Sequence, residues 1–278
     1  MNIEQPLSIV KSDGSKEPFD IFKLKESLHH SGATQEVVEE ISSHIFSEIE
    51  DGMTTREIYK HAFEILHRKA RPVALKYSLR HAVMELGPSG FPFEDYVAEI
   101  FRARGYEALT GQVVKGFCIP HEIDVVAWND KKLVMVEAKF HNEHGMKSDV
   151  KVVLYIKARF DDLRKVKFNY GHEREIDEAW LVTNTKFTST AIEYASCEGG
   201  LRLIGWNYPP VGNLQDMIME SKLHPLTCLT SMNGREKKEL LLQGIVLCKS
   251  LIDRPELLTS VGINSKKSQT ILEEIAML

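Results

Sequence analysis

Residues 122–140, EIDVVAWNDKKLVMVEAKF, read as two apolar strands around a tight turn at Asn129-Asp130, with one acid near the outer end of each strand. Twelve residues separate Asp124 from Glu137, so an antiparallel return brings the two carboxylates together. Lys139 lies two residues beyond Glu137, and because side chains alternate along a strand the pair projects to one face. This set suits phosphodiester hydrolysis, which needs a nucleophile generated near neutral pH and neutralisation of charge on the scissile phosphate. A hard divalent cation held by two carboxylates supplies both. The expected ligands are Asp124, Glu137 and the backbone carbonyl of Ala138, and the expected ion is Mg²⁺ or Mn²⁺. Lys139 would orient the water or stabilise charge in the transition state. An acid-x-lysine triplet at a strand end is commonplace by itself. Here the ionisable groups sit in VMVEAKF and EIDVVAW, where an apolar sheet makes them costly without a partner or a task.

Working outward, FEDYVAEIFRARG predicts a helix ended by Gly105, and YEALTGQVVKGF a further strand. DVKVVLYIKARFDDLRKV returns to helical spacing with basic residues on its polar side. AWLVTNT, TSTAIEYASCEG and LRLIGW then read as strand, helix and strand, which implies a mixed α/β core. LGPSGFPF interrupts the periodicity and marks a boundary at Gly87 to Pro92. Before it, PLSIVKSDGSKEPFD predicts a hairpin about Asp13-Gly14, followed by four amphipathic helices, IFKLKESLHHSG, QEVVEEISSHIFSEI, TTREIYKHAFEILHRK and VALKYSLRHAVMEL. Thr54 or Thr55 caps the third. After NYPPVGNL the chain turns helical to its end, with KKELLLQGIVLCKSLI read as one helix. The expected fold is therefore α/β (α+β): a mostly helical domain with a short hairpin over 1–87, an α/β core over 92–210, and a helical tail over 211–278.

The 278 residues are 43% hydrophobic and 27% charged, a composition that supports folded cores. A net charge of -5 excludes a protein that coats nucleic acid through overall basicity. Local basic surface is available, since lysines and arginines outnumber acids from Lys139 to Lys167. Cys118, Cys197, Cys228 and Cys248 form no CxxC pair, which speaks against a disulfide framework or a zinc knuckle. With no apolar run of membrane-spanning length and no signal-like N-terminus, a reducing, cytoplasmic setting is expected. GxxxxGK[ST] is absent, which excludes a P-loop motor. His141 and His144 lack further ligands at zinc spacing and are read as no metal site.

Phe93-Glu94 through Gly105-Tyr106, the Asp124 strand, Glu137-Ala138-Lys139 and TNTKFTSTAIEYASCEGGLRLIGW together resemble the PD-(D/E)xK nuclease superfamily, and within it Mrr-like restriction endonucleases, over about residues 92 to 206. The resemblance implies a restriction-endonuclease-like fold acting on DNA, with Asp124 and Glu137 on the metal and Glu94 as a helix-borne auxiliary acid. The approach to the aspartate, IPHEID, departs from the family pattern and leaves open whether His121 or Glu122 takes part or is structural. Lys151, Lys157 and Arg159 on the basic helix are candidates for tracking a phosphate backbone, or form a solvated face.

IVKSDGSKEPFDIFKLKESL and DGMTTREIYKHAFEIL resemble the ATP-cone, the regulatory adenine-nucleotide domain at the front of many ribonucleotide reductases, over about residues 7 to 87. That likeness implies binding of ATP or dATP without hydrolysis. Lys11, Glu17, Asp20 and Lys23 would stand around the phosphates and ribose, and Thr55 and Tyr59 on the helical wall. Ser12 stands where the family has a second basic residue. PELLTSVGINSKKSQTILEEI has the cadence of a helix-hairpin-helix element, with Gly262 in the turn, Asn264 in place of a second glycine, and Lys266 and Lys267 available to DNA. Together these imply an adenine-nucleotide-regulated DNA endonuclease and a homo-oligomer. The competing expectation is a nucleotide-sensing DNA-binding regulator with an idle nuclease fold.

Overall fold

Asn129 closes the turn between the two central strands. Its Oδ1 accepts from the N–H of Lys131 and of Lys132, both at 2.9 Å, and its own N–H donates to Lys132 O at 3.0 Å. In this computed structural model the described residues are 7–11, 14–87, 89–143 and 145–278, without the side chains of residues 30, 56, 75 and 76. The expectations resting on Ser12, Asp13 and His144 lie outside them.

The strands flanking that turn are β4 (Pro120–Trp128) and β5 (Leu133–Lys139), and β3 (Glu107–Lys115) precedes them. They belong to one five-stranded sheet with β9 (Glu178–Thr183) and β11 (Leu201–Ile204), in the order β11-β9-β5-β4-β3. The β3-β4-β5 side is antiparallel, whereas β5-β9 and β9-β11 are parallel. The mixed α/β class is thus as expected. Along β5, Val134, Val136 and Ala138 enter one buried cluster with Phe93 and Tyr96, while Met135 enters another with Val153, Ile156 and Phe160. The first cluster belongs to α6 (Phe91–Ala103) and the second to α7 (Val150–Leu163), so a helix covers each face. α8 (Ser189–Glu198) connects β9 to β11. Short pairs add β6 (Lys147–Ser148) parallel to β10 (Lys186–Phe187), and β7 (Phe168–Tyr170) antiparallel to β8 (His172–Arg174).

The N-terminal part carries β1 (Ser8–Val10) paired with β2 (Lys16–Pro18), then α1 (Ile21–His30), α2 (Gln35–Glu48) and α3 (Thr55–Lys69) around a core of their own. The hairpin is fastened to the loop before α3 by Val10 N–H to Met53 O and Gly52 N–H to Ser8 O. Thr54 is the cap of α3, in a reciprocal box with Glu57. The fourth expected helix is two pieces, α4 (Arg71–Tyr77) and α5 (Leu79–Met84). The reason is that it serves two cores. Ala74 packs with the N-terminal helices, whereas Leu79, Ala82 and Val83 join α6 and the sheet.

The tail forms α9 (Leu214–Ser221), α10 (Gly234–Leu241), α11 (Lys249–Asp253), α12 (Glu256–Ser260) and α13 (Ser265–Ala276). The single helix read over KKELLLQGIVLCKSLI ends at α10. Gly244 takes φ +73°, and Ile245 to Cys248 run buried and irregular to α11. From Leu214 to Ile275 the tail's buried apolar side chains belong to the same cluster as α5, α6 and the sheet. Among the described residues no helix is long and apolar enough to cross a membrane.

Candidate active site

β4 and β5 pair Val125 with Val136, which sets Asp124 beside Glu137 at the next register position. Asp124 Oδ2 accepts the Ala138 N–H at 2.7 Å, a cross-strand bond that fixes the carboxylate at the strand end. Glu137 and Lys139 share the alternation of Met135 and so point to the α7 side, Glu137 half-buried and Lys139 exposed. Glu94 comes from the first turn of α6 on the other side of the sheet.

Burial pushes the carboxyl pKa of Glu137 up to about 7, reinforced by the Asp124 charge and opposed by Arg159 and Lys139. Burial likewise raises Glu94 to about 7, with Asp124, Asp95, Glu122 and Glu137 adding like charge. Asp124 is raised by burial against the Ala138 N–H and the Arg159 and Lys139 cations. Acids at adjoining strand ends whose charge is disfavoured, with a third acid near enough to repel them, make a site that gains from a cation. Asp124 and Glu137 offer hard oxygen donors of the kind Mg²⁺ and Mn²⁺ take, so this pair fits such an ion. Among the described residues no group of three or more His, Cys, Asp or Glu is gathered as a metal cluster, so a third ligand would be backbone or water.

Arg159, read from sequence as a phosphate contact, has another position. Its Nη1 donates to Glu137 Oε2 at 2.6 Å with both side chains largely buried, and its Nη2 donates to the Glu122 carbonyl. The guanidinium neutralises the acid that a metal would use. Lys157 is likewise held, by Asp161 at 2.7 Å and Glu198 at 3.2 Å, and does not offer a free ammonium to DNA. Lys267 pairs with both oxygens of Glu236 at 2.7 Å. Lys151 and Lys266 are exposed. Asn264 explains its own presence, because its side chain caps α13 by accepting the Lys267 N–H.

His121 is engaged by a carboxylate of α7. Its Nε2 meets Asp162 Oδ2 at 2.8 Å, and Asp162 also accepts from the backbone of Cys118 and Ile119, tying the β3–β4 turn to the end of α7. The His121 contact, followed by those backbone bonds, holds the Asp162 carboxyl well below its ordinary range. Beyond Lys139 the chain is pinned by the fully buried Asn184, whose Oδ1 accepts from His141 N–H and whose Nδ2 donates to His141 O, each at 2.8 Å.

In the N-terminal part, Glu17 pairs with Lys11 and Lys23, so three of the expected nucleotide residues converge. The Lys11 hydrogen bond, then burial opposing it, leaves Glu17 lowered. Asp20 caps α1 by accepting the Phe22 N–H. Thr55 opens α3. Tyr59 is stacked on Tyr77 with ring centroids 5.1 Å apart and on His81 at 5.8 Å.

Residues 7–81 match the ATP cone domain family, residues 87–207 the restriction endonuclease family, and residues 224–278 the AF1548-like, C-terminal family. An uncharacterized protein of Archaeoglobus fulgidus is 33% identical over 179 residues, which are 64% of this chain and 97% of the relative. The chain belongs to this protein's family. It joins an ATP cone domain to a restriction endonuclease domain of the Mrr type. The crystal structure of AF1548, a protein of unknown function, is similar with 31% identity and a TM-score of 0.56, covering 68% of this chain and 97% of that one.

Within the restriction endonuclease domain, sequence reasoning missed Arg159 as a partner of Glu137 and Asn184 as the clamp on the chain just after β5. Only the burial of TNT at a strand end hinted at the second. Between the ATP cone and the endonuclease domain it missed Arg80, whose Nε is buried without a hydrogen-bond partner among the described residues.

Proposed function

We propose that the chain is a metal-dependent DNA endonuclease whose activity is set by ATP or dATP bound at the ATP cone. The observation that carries this reading is Asp124, Glu137 and Lys139 on two paired strand ends, with the acids partly desolvated and Glu94 near them. Mg²⁺ or Mn²⁺ bound by Asp124, Glu137 and the Ala138 carbonyl would activate the attacking water and draw charge from the phosphate. Asp124 is oriented by the Ala138 N–H. Lys139, exposed at the mouth, contacts the scissile phosphate and stabilises its developing charge. Glu94, raised to about 7, holds a proton at its carboxyl below neutrality and releases it above. Lys151 and Lys266 meet the DNA backbone as exposed cations.

Each chain offers one such centre, so cutting both strands takes two copies, and a homo-oligomer follows from this reading. The test is nicking of supercoiled plasmid by the purified chain with Mg²⁺ or Mn²⁺, with and without ATP, alongside Asp124→Asn and Lys139→Ala. Nicking that needs metal and is lost in both variants supports the site, and nicking that survives both overturns it. The ion pair between Arg159 and Glu137 favours a second reading, a nucleotide-sensing DNA-binding regulator with an idle nuclease fold. A chain that binds plasmid and ATP yet leaves DNA intact in both metals establishes that reading instead.

A further inference from the structure

Between α1 and the loop after β11 lies a cavity of about 250 Å³, lined from the ATP cone side by Lys23, Ser27, Tyr77 and Arg80 and from the endonuclease side by Trp206 and Gln215. Its charge is unbalanced. Arg80 has a buried Nε with no hydrogen-bond partner, and no carboxylate pairs with its guanidinium among the described residues. A buried guanidinium nitrogen without an acceptor is expensive unless an anion joins it. Glu26 is the one acid lining the cavity, and its side chain is exposed.

More positive charge stands next to the cavity. The N–H of Trp206, which lines the cavity, donates to Thr185 O at 2.7 Å, so the residue before Lys186 is joined to the cavity wall. In the β6–β10 pair Lys186 is the direct register partner of Lys147, two like charges side by side, an arrangement that disfavours the sheet unless something neutralises it. Burial, and after it the charges of Arg80, Lys147, Lys11 and Lys23, lowers the Lys186 ammonium pKa. Five cations from both domains therefore stand about a common region, Lys11 and Lys23 sharing the Glu17 carboxylate.

We infer that this seam is a polyphosphate site, in which the phosphates of an adenine nucleotide held by Lys11 and Lys23 of the ATP cone are also gripped by Arg80, Lys186 and Lys147. The inference rests on the nucleotide-sensing part of the proposed function. It adds that the ligand touches the endonuclease domain directly, so that nucleotide binding and the packing of the two domains are one event. The cavity is smaller than the roughly 300–1,000 Å³ of sites that enclose a whole ligand. It suits a chain of phosphates entering from the cone and does not admit a DNA duplex.

The test is calorimetric titration of the full chain with ATP, and separately with inorganic tripolyphosphate. Compared are wild type, Lys23→Ala, Lys186→Ala and Arg80→Gln, with plasmid binding measured in parallel. Lys186 is exposed, so its truncation leaves the fold standing even where Arg80→Gln does not. Expected is a loss of about tenfold in affinity for both ligands in Lys186→Ala, since a charge-assisted contact to phosphate disappears, with plasmid binding unchanged. ATP affinity that falls in Lys23→Ala but equals wild type in Lys186→Ala and Arg80→Gln overturns the seam and leaves the cone intact. A wild-type chain that binds neither ligand overturns the nucleotide reading itself. Loss of plasmid binding in Lys186→Ala with ATP affinity kept makes the seam a DNA surface and overturns the proposal.

Discussion

Replacing Arg159 by methionine removes the cation that now neutralises Glu137 while keeping an unbranched side chain of similar reach on α7. The 2.6 Å contact puts the two charge centres close together with both side chains largely buried. Unit charges at about 4 Å interact by about 4 kcal/mol at the effective dielectric of a protein surface. A dication arriving at Asp124 and Glu137 meets that attraction as a competitor. Part of it is offset by the desolvation that Arg159 suffers, and part by the further rise in the Glu137 pKa once the guanidinium is gone, which leaves about 1–2 kcal/mol in favour of the metal. Arg159→Met should therefore bind Mg²⁺ about five- to thirtyfold more tightly than wild type. Calorimetry at pH 8.5, where proton competition is least, measures it. Unchanged or weaker metal binding refutes the argument. It would mean that Arg159 orients Glu137 for the ion rather than occupying its place.

Lys139→Ala should lower the cleavage rate by about 10²–10³-fold with Mg²⁺ affinity nearly kept, as for loss of a group that acts in the transition state, and single-turnover cleavage at saturating metal checks it. Glu94 has a folded pKa raised to about 7, so its protonated form is favoured by folding and the metal-free protein loses stability as pH rises from about 4.5 to 7. Glu94→Gln should raise the free energy of unfolding above pH 7 by about 1–2 kcal/mol after allowance for its partial exposure, and leave it unchanged at pH 4, read by denaturant unfolding at the two pH values. For Glu274, burial raises the carboxyl, but hydrogen bonds from Ser231 and Thr230 outweigh it and hold the pKa low, and Arg71 stands 3.4 Å away. Its contribution is complete above the ordinary glutamate pKa and is lost as pH falls through the folded value. Glu274→Gln should cost about 2–4 kcal/mol at pH 7 and much less at pH 3, read by denaturant unfolding. A chain ending at residue 210 should aggregate, since the buried cluster would lose its members from Leu214 to Ile275, and a monomeric, folded product in gel filtration would contradict the continuous core.

The sheet and the position of the two acids were legible because they depend on short-range signals. Alternation in EIDVVAW and VMVEAKF, and a turn closed by the side chain of Asn129, decide the β4–β5 register, and the register alone sets Asp124 beside Glu137. A cap at Thr54 or Thr55 was legible on the same ground, and the structure selects Thr54 and adds the reciprocal bond from Glu57. Helix ends near α5 and α10 were not. Periodicity reports that a segment buries one stripe, not that the stripe changes cores at Ser78 or that Gly244 turns the chain away.

Partners of the basic residues lay further out of reach, and the reason is geometric. Lys151, Lys157 and Arg159 follow one another on a single helix, and as sequence they are one basic stripe. On α7 they diverge, because successive positions are rotated about 100° and face different neighbours. Lys157 meets Asp161 one turn on and Glu198 of α8, Arg159 meets Glu137 of β5, and Lys151 stays exposed. Lys267 finds Glu236, 31 residues back along the chain. A lysine whose partner arrives from another element looks, in sequence, the same as one awaiting a phosphate. Only three-dimensional pairing separates them, and it moves Arg159 from the basic stripe to the side of Glu137.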